Sequence, residues 1–295
     1  MARFPVILNG DSGAVTADPQ IASKVGEALE AAGLDADVEI VAGDECQRRF
    51  CAIAKSGCEL LVVGGGDGTV STAAAVLADT EILLGILPLG TLNHFARDLG
   101  IPMAFDLAAK LIAGRNEHRV DIGLMNERIF INNSAIGLYP LMVVDRDLQQ
   151  RKLGRSKRLA MSVAALRTLL RFNHQRLTLK VNDEQARIDT PLLFVGNNEY
   201  RIDIGAPGRR DSIESGKLSL FVMRKKTRRG FIAATIRVLL GRIRNDDMVR
   251  VENVEELFVS SRRTALSVSL DGEIVRANPP LDYKIRKQAL RVIAP

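Results

Sequence analysis

A carboxylate stands among four glycines in Gly64-Gly65-Gly66-Asp67-Gly68-Thr69-Val70, after the apolar run Leu60-Leu61-Val62-Val63 and before the Ala-rich stretch Ser71 to Ala78. Apolar run, glycine turn and helix-forming run read as strand, loop and helix N-terminus, an arrangement that turns backbone N–H groups toward a phosphate. Asp67 at such a site repels phosphates unless a divalent cation or a transferable proton lies between them. The loop therefore points to a Mg²⁺-nucleotide and phosphoryl transfer. Other glycine loops fit worse. Thr69-Val70 stand where a P-loop carries its Lys and Ser/Thr, and Thr69 stands where the dinucleotide fingerprint needs a third small residue. The plain alternative is a strand-to-helix turn whose glycines supply positive φ while Asp67 caps the helix.

A second candidate is Pro88-Leu89-Gly90-Thr91-Leu92-Asn93-His94-Phe95-Ala96-Arg97, a turn followed by a short helix that Gly100 stops. It brings the Thr91 hydroxyl and the Asn93 amide to the strand edge that carries Asp67, with His94 and Arg97 either joining them or lying on a wet helix face. A third is Asp271-Gly272-Glu273, which by itself is a hairpin turn with Glu273 opening the return strand. A general base for a hydroxyl must be a carboxylate or a His within reach of it. The first 122 residues offer only Asp67 and His94 for that role.

The elements that must position these residues follow from periodicity. Phe4 to Leu8, Val38 to Val41, Glu59 to Val63 and Ile82 to Leu87 read as buried strands. Between them, helical spacing covers Ile21 to Ala32, Glu45 to Ser56 and Ser71 to Ala78. This β-α-β-α-β-α-β order predicts an α/β domain over residues 1–122 with a doubly wound parallel sheet. Residues 123–295 change texture: alternation in Leu177 to Val181 and Leu266 to Leu270 predicts a β-rich antiparallel sandwich, with a polar loop at Asn197-Asn198-Glu199 and Ala206-Pro207-Gly208.

The chain has 295 residues, 46% hydrophobic and 26% charged, and a net charge of +6, which favours anionic partners without choosing among them. Arg151 to Arg158 and Arg224 to Arg229 each lead into an apolar helical run, and read either as anchors on an anionic membrane or as ordinary helices with solvated cationic ends. Nucleic acid is disfavoured, because there is no Trp and no aromatic interleaving to stack bases. Cys46, Cys51 and Cys58 are odd in number and lack metal-ligand spacing, which suits buried thiols in a reducing compartment. No stretch reaches the roughly 18 apolar residues of a transmembrane helix, and the N-terminal apolar stretch is too short for a signal peptide, so a cytoplasmic location is expected.

Gly65-Gly66-Asp67-Gly68-Thr69 followed by Pro88-Leu89-Gly90-Thr91-Leu92-Asn93 resembles the diacylglycerol kinase catalytic domain family, the bacterial lipid kinases related to diacylglycerol and sphingosine kinases. Asn9 with Ser12-Gly13 is similar to that family's first loop, Asp121-Ile122-Gly123 to its domain junction and Asp271-Gly272-Glu273 to its distal catalytic segment. The resemblance implies ATP and Mg²⁺ on the first domain, with Asn9, Gly64, Gly65, Gly66, Asp67, Gly68, Thr69, Thr91 and Asn93 around the phosphates. It implies catalytic roles for Glu273, Asp67 and Asp271, with Glu273 as the base, and metal contacts at Asp67 and Asp271. It further implies a lipid substrate, peripheral attachment to an anionic membrane, and leaves room for a homodimer. Two positions depart from the family pattern. His94 stands where an acid is usual, and Ser215-Gly216 where an Asp-Gly pair accompanies a structural Mg²⁺ in some members. Two alternatives stay open: a kinase of a soluble alcohol such as NAD, and a nucleotide-binding regulator without turnover.

Overall fold

A computed structural model describes residues 3–137, 174–203, 206–225, 227–239 and 247–295. The chain forms two compact units, Met1–Ile122 with Arg286–Pro295, and Gly123–Ile285.

In the first unit β1 (Phe4–Asn9), α1 (Gly13–Ala17), α2 (Ile21–Ala31), β2 (Ala36–Val41), α3 (Cys46–Lys55), β3 (Leu60–Gly65), α4 (Asp67–Leu77), β4 (Leu83–Pro88), α5 (His94–Asp98) and α6 (Phe105–Gly114) follow in order. The strands lie β2-β1-β3-β4, every pair parallel. Leu60 to Val63 in the middle of the sheet are buried throughout, as a strand covered on both faces requires. Helix α2 packs on β2 and on α6, while α3 packs on β1 and on α4. Right-handed crossovers leaving β1 and β3 in opposite directions put these two helix pairs on opposite faces. The sheet is doubly wound, and its order reverses between β1 and β3, the place where such sheets bind ligands beyond their carboxyl ends.

Two boundaries differ from the periodicity. Gly64 and Gly65 pair with Leu87 and Pro88 as part of β3, so the loop proper begins at Gly66. The last ten residues, placed with the second half by their sequence texture, belong with the first unit. The reason is β18 (Leu281–Ile293), whose buried Leu290, Val292 and Ile293 continue past the sandwich, with Val292 opposite Leu84 of β4.

The second unit is the antiparallel sandwich. One sheet holds β9 (Glu184–Thr190), β8 (Gln175–Val181), β15 (Glu256–Ser261) and the first residues of β18. The other runs β14 (Met248–Val254), β13 (Leu218–Met223), β10 (Leu192–Asn197), β7 (Asn133–Gly137), β16 (Leu266–Leu270) and β17 (Glu273–Ala277). Alternate residues of both sheets, among them Leu177, Leu179, Leu257, Val259 and Tyr283 against Ile136, Leu193, Val195, Leu220 and Val268, form one apolar core. The polar stretch expected as a loop forms a hairpin, β11 (Glu199–Asp203) with β12 (Ala206–Ser212), whose backbones pair antiparallel across it. Helix α7 (Arg228–Leu239) packs Phe231 and Ala234 against Met223. Arg151 to Arg158 and the helix expected after them lie outside the described residues. No helix among the described residues is long and apolar enough to cross a membrane.

Candidate active site

The loops after β1, β3 and β4 converge at one edge of the first unit. Asn9, which ends β1, donates from Nδ2 to Thr69 Oγ1 at 2.8 Å. The Ala14 amide donates to Leu89 O at 3.3 Å, tying the loop after β1 to the loop after β4. Between the β3 and β4 loops, backbone meets backbone: a Cβ on Gly90 would stand 2.2 Å from Gly66 Cα, which no side chain tolerates. Gly64 and Gly65 serve packing instead. A Cβ at either would overlap Leu8 or Thr69 at 2.4 Å, so the lack of a side chain at these two lets strand and helix close together.

Asn93 sits in the left-handed region, with φ 51 and ψ 48, and its buried amide closes the turn after β4. Asn93 Oδ1 accepts Gly90 N at 3.1 Å and its Nδ2 donates to Gly90 O at 3.0 Å. That leaves Thr91 exposed at the rim while Asn93 is structural. Asp67 is the first residue of α4, half-buried, and its Oδ1 accepts the Phe95 amide at 3.3 Å. The carboxylate thus ties the phosphate loop to the start of α5, and its Oδ2 has no protein partner among the described residues. Gly68 is exposed beside it.

One residue of the first loop, absent from the site set deduced above, belongs with them. Among the described residues Ser12 Oγ is buried without a hydrogen-bond partner, a condition that is rare for polar groups and that a bound ligand would relieve. A buried unpartnered hydroxyl, a carboxylate with one free oxygen and the unbonded amides of a helix's first turn suit nucleotide phosphates with a divalent cation. Ser12, Thr91 and the amides of Gly68 and Thr69 fit the phosphates; Asp67 Oδ2 fits the cation.

In the second unit Asp271 and Gly272 take φ 47 and 88 between Leu270 and Glu273, which face each other across the hairpin, as a type I′ turn requires. The Asp271 carboxylate is fully engaged. Its Oδ2 accepts Ile131 N at 2.7 Å, and its Oδ1 accepts Asn132 N at 2.8 Å and Asn133 N at 2.9 Å. On the other side of the same segment, Ile131 O accepts Asn197 Nδ2 at 3.0 Å and Arg210 Nη1 at 2.6 Å. Arg210 also reaches Asn132 Oδ1 at 3.2 Å and lies over the Tyr200 ring at 5.6 Å. With Asn132, Asn197 and Arg210 no more than 5% exposed, this is a buried polar network, and no spacing in the sequence announces Arg210 as its member.

Both oxygens of Asp271 accept backbone amides, which gives this carboxylate a structural task in holding the Ile131–Asn133 segment. At the Ser215 position, Ser215 Oγ and Gly216 N donate to Asn198 Oδ1 at 3.0 and 3.1 Å, and no cluster of three or more His, Cys, Asp or Glu side chains that could hold a metal forms among the described residues. Glu273 opens β17 with its side chain exposed.

Of the cations expected to meet a membrane, Arg224 and Arg229 are exposed. Lys225 lies 3.4 Å from the fully buried Asp247, to which Arg237 Nε donates at 2.7 Å, so these two hold α7 in place. Lys226 and the Arg228 side chain lie outside the described residues.

Comparison with known proteins places both halves. The description "Diacylglycerol kinase catalytic domain" matches residues 3–125, and "YegS C-terminal NAD kinase beta sandwich-like domain" matches residues 143–294. The chain is 38% identical over 146 residues to proteins named probable lipid kinase YegS from Salmonella dublin and from Salmonella choleraesuis strain SC-B67, covering 46% of this chain and 47% of each relative. It thus spans about half the length of the curated relatives it matches. The crystal structure of a diacylglycerol kinase from Bacillus anthracis strain Sterne shares the fold at TM-score 0.71 and 20% identity, covering 99% of this chain and 97% of that one. A second structure from that organism does so at TM-score 0.77 and 24% identity, with the same coverage. With its sandwich, half of the chain, matched by the second description, this protein belongs to the family of the YegS C-terminal NAD kinase beta sandwich-like domain, and its first unit matches the diacylglycerol kinase catalytic domain.

Proposed function

We propose that the chain is an ATP- and Mg²⁺-dependent lipid kinase that phosphorylates a hydroxyl of a diacylglycerol-like or long-chain-base lipid. The observation that carries this reading is the convergence of the loops after β1, β3 and β4 on Asp67 and the Ser12 hydroxyl, in a family whose curated relatives are named probable lipid kinases. Ser12, Thr91 and the first-turn amides of α4 bind and orient the phosphates of ATP. Asp67 would hold Mg²⁺, which when bound would neutralise the phosphoryl charge. Asp67 Oδ1 meanwhile keeps α5 and its loop in register. Glu273 takes the proton of the acceptor hydroxyl, whose oxygen bonds to the γ-phosphorus as the bond to the bridging oxygen breaks and ADP leaves. Asp271 holds the turn that presents Glu273. The protein works in the cytoplasm, attached peripherally to an anionic membrane.

The test incubates the protein with labelled ATP, Mg²⁺ and a panel of lipids in mixed micelles, with NAD in parallel because the sandwich is described as NAD kinase-like. Label in a lipid supports the reading. Label in NAD alone makes the enzyme a soluble-alcohol kinase, and ATP binding without transfer makes it a regulator. Size-exclusion chromatography under the same conditions reads whether it acts as a homodimer.

A further inference from the structure

Leu92 is 57% exposed, more than any other large apolar side chain among the described residues. The turn that carries it is built rather than slack. Asn93 bonds both the amide and the carbonyl of Gly90, and Arg97 Nε donates to Leu92 O at 2.9 Å. A closed ring of hydrogen bonds thus holds an apolar side chain out in water, at the rim where Thr91 meets the phosphate edge. Arg97 is itself exposed, and no carboxylate among the described residues lies within ion-pair distance of it. The topology adds to this rim: α6 returns along β4, so it starts at the sheet edge where β4 ends. Leu107 in its first turn is 47% exposed and Met103 just before it is 37% exposed. Of the four exposed large apolar side chains among the described residues, only Ile40 falls outside this stretch.

We propose that the stretch from Leu92 to Leu107 is a docking tip for a phospholipid bilayer. Leu92, Met103 and Leu107 enter the acyl boundary and Arg97 takes a headgroup phosphate. The proposal rests on the lipid-kinase reading, which requires an acceptor drawn from a bilayer. A bilayer suits this rim better than an apolar protein face, which would leave the Arg97 guanidinium buried and unpaired. Within the stretch Arg97 is accompanied by Asp98 and Asp106, so its net charge is not positive and apolar insertion carries the attachment. Such binding resists salt, whereas binding through Arg224 and Arg229 alone is screened.

The test is co-sedimentation with vesicles of phosphatidylcholine and phosphatidylglycerol at low and high salt. Leu92→Ser/Met103→Ser/Leu107→Ser should lower partitioning about tenfold or more at both salt levels, and Arg97→Gln about threefold. The double variant Met103→Ser/Leu107→Ser, which leaves the β4–α5 turn intact, serves if the triple variant fails to fold, and should lose about half of that effect on a logarithmic scale. Wild-type partitioning of the folded variants overturns the proposal. So does a change of oligomeric state by the same variants without vesicles, which would make the surface a contact between copies of the chain. Phosphate transfer to a short-chain acceptor dissolved as a monomer separates the two ideas. If the wild-type protein transfers nothing there while the variants still lose vesicle binding, the kinase reading falls and the docking tip stands.

Discussion

At the edge of the first unit, Gly66 and Gly90 bring two backbones together with no room for a Cβ on Gly90. In the second unit, Asp271, Arg210 and Asn197 hold both sides of the Ile131–Asn133 segment with side chains. The first construction leaves functional atoms unbonded: Ser12 Oγ and Asp67 Oδ2 wait for partners among the described residues. The second leaves few. Three backbone amides use both oxygens of Asp271, and the neighbouring Glu273 projects an acid into solvent. The same type of side chain therefore accepts one amide at Asp67 and three at Asp271, and on the proposed function the first region receives the ligand while the second holds Glu273 in place.

Substitutions can break this division of labour. The largest effect is expected at Glu273, where Glu273→Gln should cut phosphate transfer by roughly 10² to 10⁴ with ATP affinity unchanged, measured as turnover and nucleotide binding on one preparation. Near-normal turnover would remove Glu273 as the base. Asp67→Asn should cost on the order of 10² in turnover. An asparagine oxygen can still accept the Phe95 amide, so its melting temperature should stay near that of the wild type. Equal loss in both measurements would return Asp67 to a purely structural role.

Asp271 should behave in the opposite sense. Asp271→Ala leaves three amides without their acceptor and should cost about 3 kcal/mol of stability, read by denaturant unfolding, while the Mg²⁺ concentration needed for half-maximal rate stays put. A shifted Mg²⁺ requirement would support the metal contact at this residue.

The smallest effect is electrostatic. The Arg291 guanidinium, bonded to Glu117 at 2.6 Å, holds that carboxyl below the usual carboxylate range. The folded pKa lies under the unfolded one, so the stabilisation is present above about pH 4 and fades as pH falls through the folded value. The melting temperature of Arg291→Gln should therefore trail the wild type at neutral pH and rejoin it in acid. A gap that persists below that range would assign the contact to packing.

Much of the first unit could be read from the residues in order, because a buried parallel strand is a continuous apolar run and the glycine turn after it is contiguous. Leu60 to Val63 followed by Gly66-Asp67-Gly68 announces strand, loop and helix without any distant partner. Strands β9 and β15 carry little local signal, since Glu184 to Asp189 hold few apolar side chains and Glu256 to Ser261 lack a clean alternation. Arg210 was equally hidden, because its partners Ile131 and Asn132 lie about 80 positions away.

By itself, then, the order of residues determined the doubly wound half, the sandwich texture after Gly123 and the chemical type of each candidate group, since these depend on local periodicity and on side-chain identity. Which atoms are free was decided only by folding. Nothing local separates Asp67 from Asp271, each an acid beside a glycine in a turn. The tertiary structure bonds the first once, to Phe95, and the second to three consecutive amides some 140 residues away. Satisfaction of a carboxylate depends on which backbone amides pack against it, and those arrive through long-range strand pairing that local patterns do not encode.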